Sequence, residues 1–144
     1  TRMNHLVKNI ALSMLTLTLV VLLSSCSEKV HFANSAVVPA AEGSVSVKKD
    51  GNSNYTIQLD VIRLADPSNL TPPKAAYFVW METAENGVTN IGQLKTSSGL
   101  FSKSLKSSLK TVTPFKPTGF FITGEESTSV QYPGSLTVMK TNSF

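Results

Sequence analysis

Few side chains in this 144-residue chain could carry chemistry, and their positions narrow the options. Cys26 is the only cysteine. One thiol cannot close an intrachain disulfide, nor find a resolving partner in its own chain. Past Cys26 the only histidine is His31, in a segment without regular period. A Ser-His-Asp triad needs a histidine held rigidly in the domain, and zinc needs several His or Cys ligands. Gly87 and Gly92 read as turn and strand glycines rather than a phosphate loop. The remaining candidates are the carboxylates Asp60, Asp66, Glu82, Glu85, Glu125 and Glu126, since a glycosidase needs only two that face each other. Adjacent Glu125 and Glu126 would point to opposite faces of a strand, so they make no pair by themselves. The expectation is a protein without catalysis, cofactor or metal; a small carboxylate-dependent hydrolase is the alternative.

The surroundings of Cys26 say more than the thiol itself. Arg2 and Lys8 precede an apolar run over 10–23, the order of parts in an export signal. As a helix that run spans roughly 21 Å at about 1.5 Å per residue, short of a hydrocarbon core of about 30 Å. No basic cluster follows Leu23, so a cleaved signal fits better than a membrane span. The run closes on Leu23-Ser24-Ser25-Cys26: a branched apolar residue, two small residues, then cysteine. This tetrapeptide resembles the lipobox of bacterial lipoproteins. The resemblance implies cleavage between Ser25 and Cys26, a diacylglycerol thioether on Cys26 and acylation of its new amino group. The membrane would then be a partner through Cys26. Ser27, in place of Asp, resembles lipoproteins passed to the outer membrane, which is favoured over the inner one.

Removing residues 1–25 leaves 119 of 144 residues, one domain's worth, and lowers the net charge from +4 to +2 with the loss of Arg2 and Lys8. So mild a charge gives no case for nucleic-acid binding. Charged residues are only 15% of the chain, and Ser, Thr and Asn do much of the solvating. With its β-branched runs and scattered Gly and Pro, this composition suits an extracytoplasmic β domain.

Residues 26–43 read as a flexible tether, small and polar with Pro39, with a short edge strand from Val30, Phe32, Val37 and Val38 as the lesser reading. From 44 to 144 the pattern is β. Val45 and Val47 alternate with Ser and Lys before an Asp50-Gly51 turn. Tyr55, Ile57, Leu59 and Val61 share one face of the cleanest half-buried strand. After the prolines at 67, 72 and 73, the 76–83 strand sets Tyr77, Val79 and Met81 against Phe78 and Trp80. Apolar residues on both faces predict a central strand, or one covered by a loop. These aromatics read as core, with a carbohydrate platform as the alternative. Asn86-Gly87 turns into an 88–96 strand. In 98–116, Phe101, Leu105 and Leu109 are spaced by four, which predicts a short strand over 100–104 followed by a partly helical or irregular segment. Lys103, Lys106 and Lys110 lie off that stripe as a candidate binding loop for an anionic partner. Strands over 118–125 and 135–141 complete about seven, the pattern of an antiparallel, Ig-like β-sandwich behind a cleaved signal helix.

Tyr77-Phe78-Val79-Trp80, Gly87 and Ile91-Gly92-Gln93-Leu94, then Ile122-Thr123-Gly124-Glu125 and Pro133-Gly134, resemble the extracytoplasmic C-terminal domain of anti-sigma-K factors. The resemblance spans roughly 45–140 and implies a sandwich used for sensing, binding or interaction. It departs from that family at the front. Those proteins hold sigma with a cytoplasmic domain before a single span, whereas the lipobox places this mature chain outside the cytoplasm, away from any cytoplasmic sigma factor. The expected partner is an envelope protein or anionic polymer, met through loops 66–73, 103–117 and 124–134. A carbohydrate-binding module or envelope hydrolase remains the alternative.

Overall fold

The computed structural model describes residues 2–21, 27–97 and 105–144. Helix α1 covers Arg2–Val21, and among the described residues no helix is long and apolar enough to cross a membrane. Eight antiparallel strands follow among the described residues: β1 (Ser27–His31), β2 (Glu42–Lys49), β3 (Tyr55–Ile62), β4 (Ala76–Thr83), β5 (Gly87–Ser97), β6 (Lys106–Thr113), β7 (Gly119–Glu125) and β8 (Thr137–Lys140). The chain is all-β after the helix, as its alternating pattern predicts.

The strands hydrogen-bond in one continuous order, β1-β2-β3-β6-β5-β4-β7-β8, that curls over on itself. The fold-over falls on β5. Its first part pairs with β4, and only Lys95, Thr96 and Ser97 reach across to Ser108, Ser107 and Lys106 of β6. At the other end an antiparallel bridge between Phe32 and Thr141 ties the β1 side to the β8 side, beside an Ala33 N–H to Lys140 C=O bond of 3.0 Å. The result is a sandwich of two layers, β1-β2-β3-β6 and β5-β4-β7-β8, stitched at both seams.

Period-2 alternation explains what lies between the layers. Val45, Val47, Ile57, Leu59 and Val61 point inward from β2 and β3, meeting Tyr77, Val79 and Met81 of β4 with Phe120 and Ile122 of β7. β4 has an apolar outer face as well. Ala76, Phe78 and Trp80 gather with Phe121 into a second cluster, covered by Val130 of the loop after β7. Trp80 is 1% exposed, so burial on both faces is met partly by a loop.

Two expectations need correction. Residues 27–41 are not a tether. β1 pairs with β2 from Ser27↔Lys48 to His31↔Ser44, and Phe32, Val38 and Ala41 are buried in the main core. Ser35 Oγ donates to the Val138 carbonyl and accepts the Val38 N–H at 2.9 Å, fixing the segment to β8. Small residues there serve close packing, which composition alone does not separate from slack. The second correction concerns 106–113, which is strand and not helix, paired with β3 along its whole length. Ser107, Leu109, Thr111 and Thr113 face inward. Polar inward residues hid the period of two behind the four-residue spacing of the leucines. The predicted strand over 100–104 lies outside the described residues.

Candidate functional site

The predicted lysine loop becomes a sheet face. Lys106 and Lys110 stand on the outer side of β6, where alternation with the inward Ser107, Leu109 and Thr111 turns them away from the core. Lys103 and Cys26, like Ser25, lie outside the described residues. Registers bring further cations to the same face. Gln58 lies opposite both Lys110 and Ser46, and Ser46 opposite Lys29. Thr56 lies opposite Lys48, and Ser108 opposite Lys95. Five lysines from β1, β2, β5 and β6 therefore share one outer face, interleaved with Ser44, Ser46, Thr56, Gln58 and Ser108.

Two carboxylates belong to this face. Asp60 sits across from Ser44 and Ser108, and Gln58 Nε2 donates to its Oδ1 at 3.3 Å. Glu42, at the rim, pairs with Arg63 at 2.9 Å. Lys29, Lys48, Lys95 and Lys110, like Lys106, are exposed. Alternate residues on a strand are about 6.8 Å apart and neighbouring strands about 4.8 Å, so the cations form a grid rather than a point cluster. Sequence reasoning found Lys106 and Lys110 but missed Lys29, Lys48 and Lys95. Strand pairing, which no local pattern encodes, brings them together.

The other predicted groups are spread out. Glu82 and Lys140 pair at 3.1 Å on the outer side of the second layer. Glu126 takes Lys74 at 3.2 Å, while Glu125, on the outer face of β7 beneath the loop that follows it, accepts from Thr123 Oγ1 at 2.6 Å and the Gly134 N–H at 2.7 Å. The adjacent glutamates thus point apart. Asp66 caps the short turn Pro67–Asn69, and its carboxyl is held below the usual range by the Ser68 hydroxyl and then the Ser68 N–H. Nearby, Tyr77 Oη donates to the Ala65 carbonyl at 2.8 Å, and burial, with the Asp66 charge second, pushes its phenol up to about 12. Among the described residues no group of three or more His, Cys, Asp or Glu could hold a metal. Tyr77, Phe78 and Trp80 are all buried, so they form no exposed stacking platform.

A groove opens at the end of the sandwich where β1 begins. One cavity of about 460 Å³ is lined by Ser27, Lys49, Tyr55, Lys116 and Phe144. Its neighbour of about 340 Å³ shares Tyr55 and Lys116 and reaches Phe115. Loop 66–73 lies at the opposite end, where β4 starts; loop 126–134 leaves β7 there and folds back so that Val130 lies over Trp80 and accepts from Asn90.

Residues 77–80, 91–94 and 122–125 fall on β4, β5 and β7, adjacent strands of one layer, and Pro133-Gly134 lies in the loop between β7 and β8. No protein-family model matches the chain, and comparison with characterised proteins and with solved structures returns no match.

Proposed function

We propose that this chain is a membrane-anchored envelope lipoprotein, lipidated at Cys26, whose β-sandwich is a binding or interaction module without catalysis. The observation that carries the reading is a coincidence of boundaries. Cleavage between Ser25 and Cys26 would discard α1 and leave β1, which begins at Ser27, and all later strands intact. A signal segment must be removable without breaking the sheet, and no strand pairing involves α1. Leu6, Ile10 and Met14, spaced by four on α1, are each more than half exposed. Apolar side chains displayed in that way suit a segment meant for a translocation channel and a membrane peptidase rather than for a core.

Dispersal of the carboxylates supports the non-catalytic half of the proposal. The resemblance of β4, β5 and β7 to anti-sigma-K factors supports a recognition role on the outer side of the membrane, with an envelope protein or polymer as partner. The outer membrane is the favoured location, on the strength of Ser27.

Metabolic labelling with a fatty acid tests the anchor. The wild-type chain is expected to take label, and Cys26→Ala to lose it and to keep its signal segment. Equal label in the two overturns the lipoprotein reading. Turnover of a glycan or ester, abolished by replacing one of the named acids, would overturn the non-catalytic one.

A further inference from the structure

We infer that the outer face of the β1-β2-β3-β6-β5 sheet binds an acidic polysaccharide laid across the strands. The inference rests on the domain being a binding module and is independent of its lipid anchor. Lys29, Lys48, Lys95, Lys106 and Lys110 give this face five cations, against Asp60, engaged by Gln58, and Glu42, engaged by Arg63. That imbalance matches a partner with repeated negative charge rather than a single anion, because the lysines are distributed over four strands.

What separates them decides the class of polymer. Ser44, Ser46, Thr56, Gln58 and Ser108 occupy the positions between the lysines, offering hydroxyl and amide groups that both donate and accept. A polymer bearing only charge leaves those groups to water, whereas the hydroxyls of a sugar chain meet them. A bilayer fits less well. Among the described residues, Val112, at one end of β6, and half-buried Ile62, opposite its other end, are the large apolar side chains of the face, too little for insertion among acyl chains. The alternation of β2, β3 and β6 makes the pattern rigid. The same hydrogen-bonded registers that fix the core fix the lysine grid, so binding needs little ordering of backbone.

The test uses the purified protein with polygalacturonate as probe, and with dextran, polyphosphate and phosphatidylglycerol vesicles alongside. Polygalacturonate is expected to bind and dextran not. Affinity should fall steeply between ~0.01 and ~1 M salt, as the screening length shrinks from about 30 to about 3 Å. Replacing Lys29, Lys48, Lys95 and Lys110 together by Gln should weaken binding by about tenfold or more. Lys140→Gln, on the other layer, should leave it unchanged. Trp80 fluorescence reports that each variant is folded. Ser46→Ala with Gln58→Ala, which keeps every charge, should weaken polygalacturonate several-fold. Equal affinity of the four-lysine variant and the wild type overturns the face. Tighter binding to vesicles, or polyphosphate binding as tight as polygalacturonate, overturns the polysaccharide. Fatty-acid label on the same preparation separates the two readings: label kept with binding lost sinks the face alone, and the reverse sinks the anchor alone.

Discussion

Trp80 Nε1 donates to Thr123 Oγ1 at 2.7 Å, and the Thr123 hydroxyl donates in turn to Glu125 Oε1 at 2.6 Å. The relay lies under the loop that follows β7, where Gly134 N–H completes the glutamate's partners at 2.7 Å. Thr123→Val keeps the shape but leaves a buried indole N–H unmet, so it should cost about 1–3 kcal/mol. Trp80→Ala, which opens a cavity beside Phe121, should cost ~3–5 kcal/mol. Urea denaturation measures both. A loss under about 1 kcal/mol for Trp80→Ala would contradict its burial.

Tyr77 sets an alkaline limit. Its phenol is pushed from 10.0 up to about 12 in the folded chain, first by burial and then by Asp66. Below pH 10 it is neutral folded and unfolded, and its full contribution is present. Between 10 and about 12 the unfolded chain releases the proton first, so stability falls as pH rises. Tyr77→Phe should lose about 1 kcal/mol at neutral pH with the Ala65 hydrogen bond, yet flatten the decline above pH 10. An unchanged slope in that variant would assign the decline to other groups.

Gly92 on β5 has φ +144°, and a Cβ there would come within 2.9 Å of Leu109 Cδ1. Gly92→Ala should therefore destabilise by about 1–3 kcal/mol, through crowding and backbone strain together. Leu109→Ala in the same background removes the crowding and should recover part of the strain while adding its own cavity. The double-mutant cycle reads that coupling.

Ser35 distinguishes a folded 33–41 segment from a slack one. Its hydroxyl serves the Val138 carbonyl and the N–H groups of Val37 and Val38. Ser35→Ala should cost about 1–3 kcal/mol and speed amide exchange at Val38. No change in either would return the segment to the role of a spacer.

Legibility in the sequence followed the period of two. Where apolar residues alternate with polar ones, as Tyr55, Ile57, Leu59 and Val61 do, strand and facing are readable, and β4 was readable to the residue. β6 was not, because Ser107, Thr111 and Thr113 fill inward positions with hydroxyls while Leu105 and Leu109 mimic a helical stripe. β1 was not, because its inward face is carried by Val30 and by Phe32 beyond its end, too short a signal to stand out from a spacer. The lysine face was half legible. Two of its cations lie in one stretch of chain, whereas Lys29, Lys48 and Lys95 join them only through pairings between distant segments.

β1 begins one residue after Cys26, with no spare chain between. An acyl anchor on that cysteine would be a pivot and not a leash, since consecutive Cα atoms are about 3.8 Å apart. The end bearing Ser27, Tyr55, Phe115 and Lys116 would stand against the lipid headgroups. Strands of eight residues at about 3.4 Å each would then lift loop 66–73 roughly 27 Å above them, a fixed working height. Nothing in the anchor could stretch to meet a partner held higher. The module would sample a thin shell of the envelope, and lengthening the chain between Cys26 and Ser27 would change which partners it reaches without altering how well it holds them.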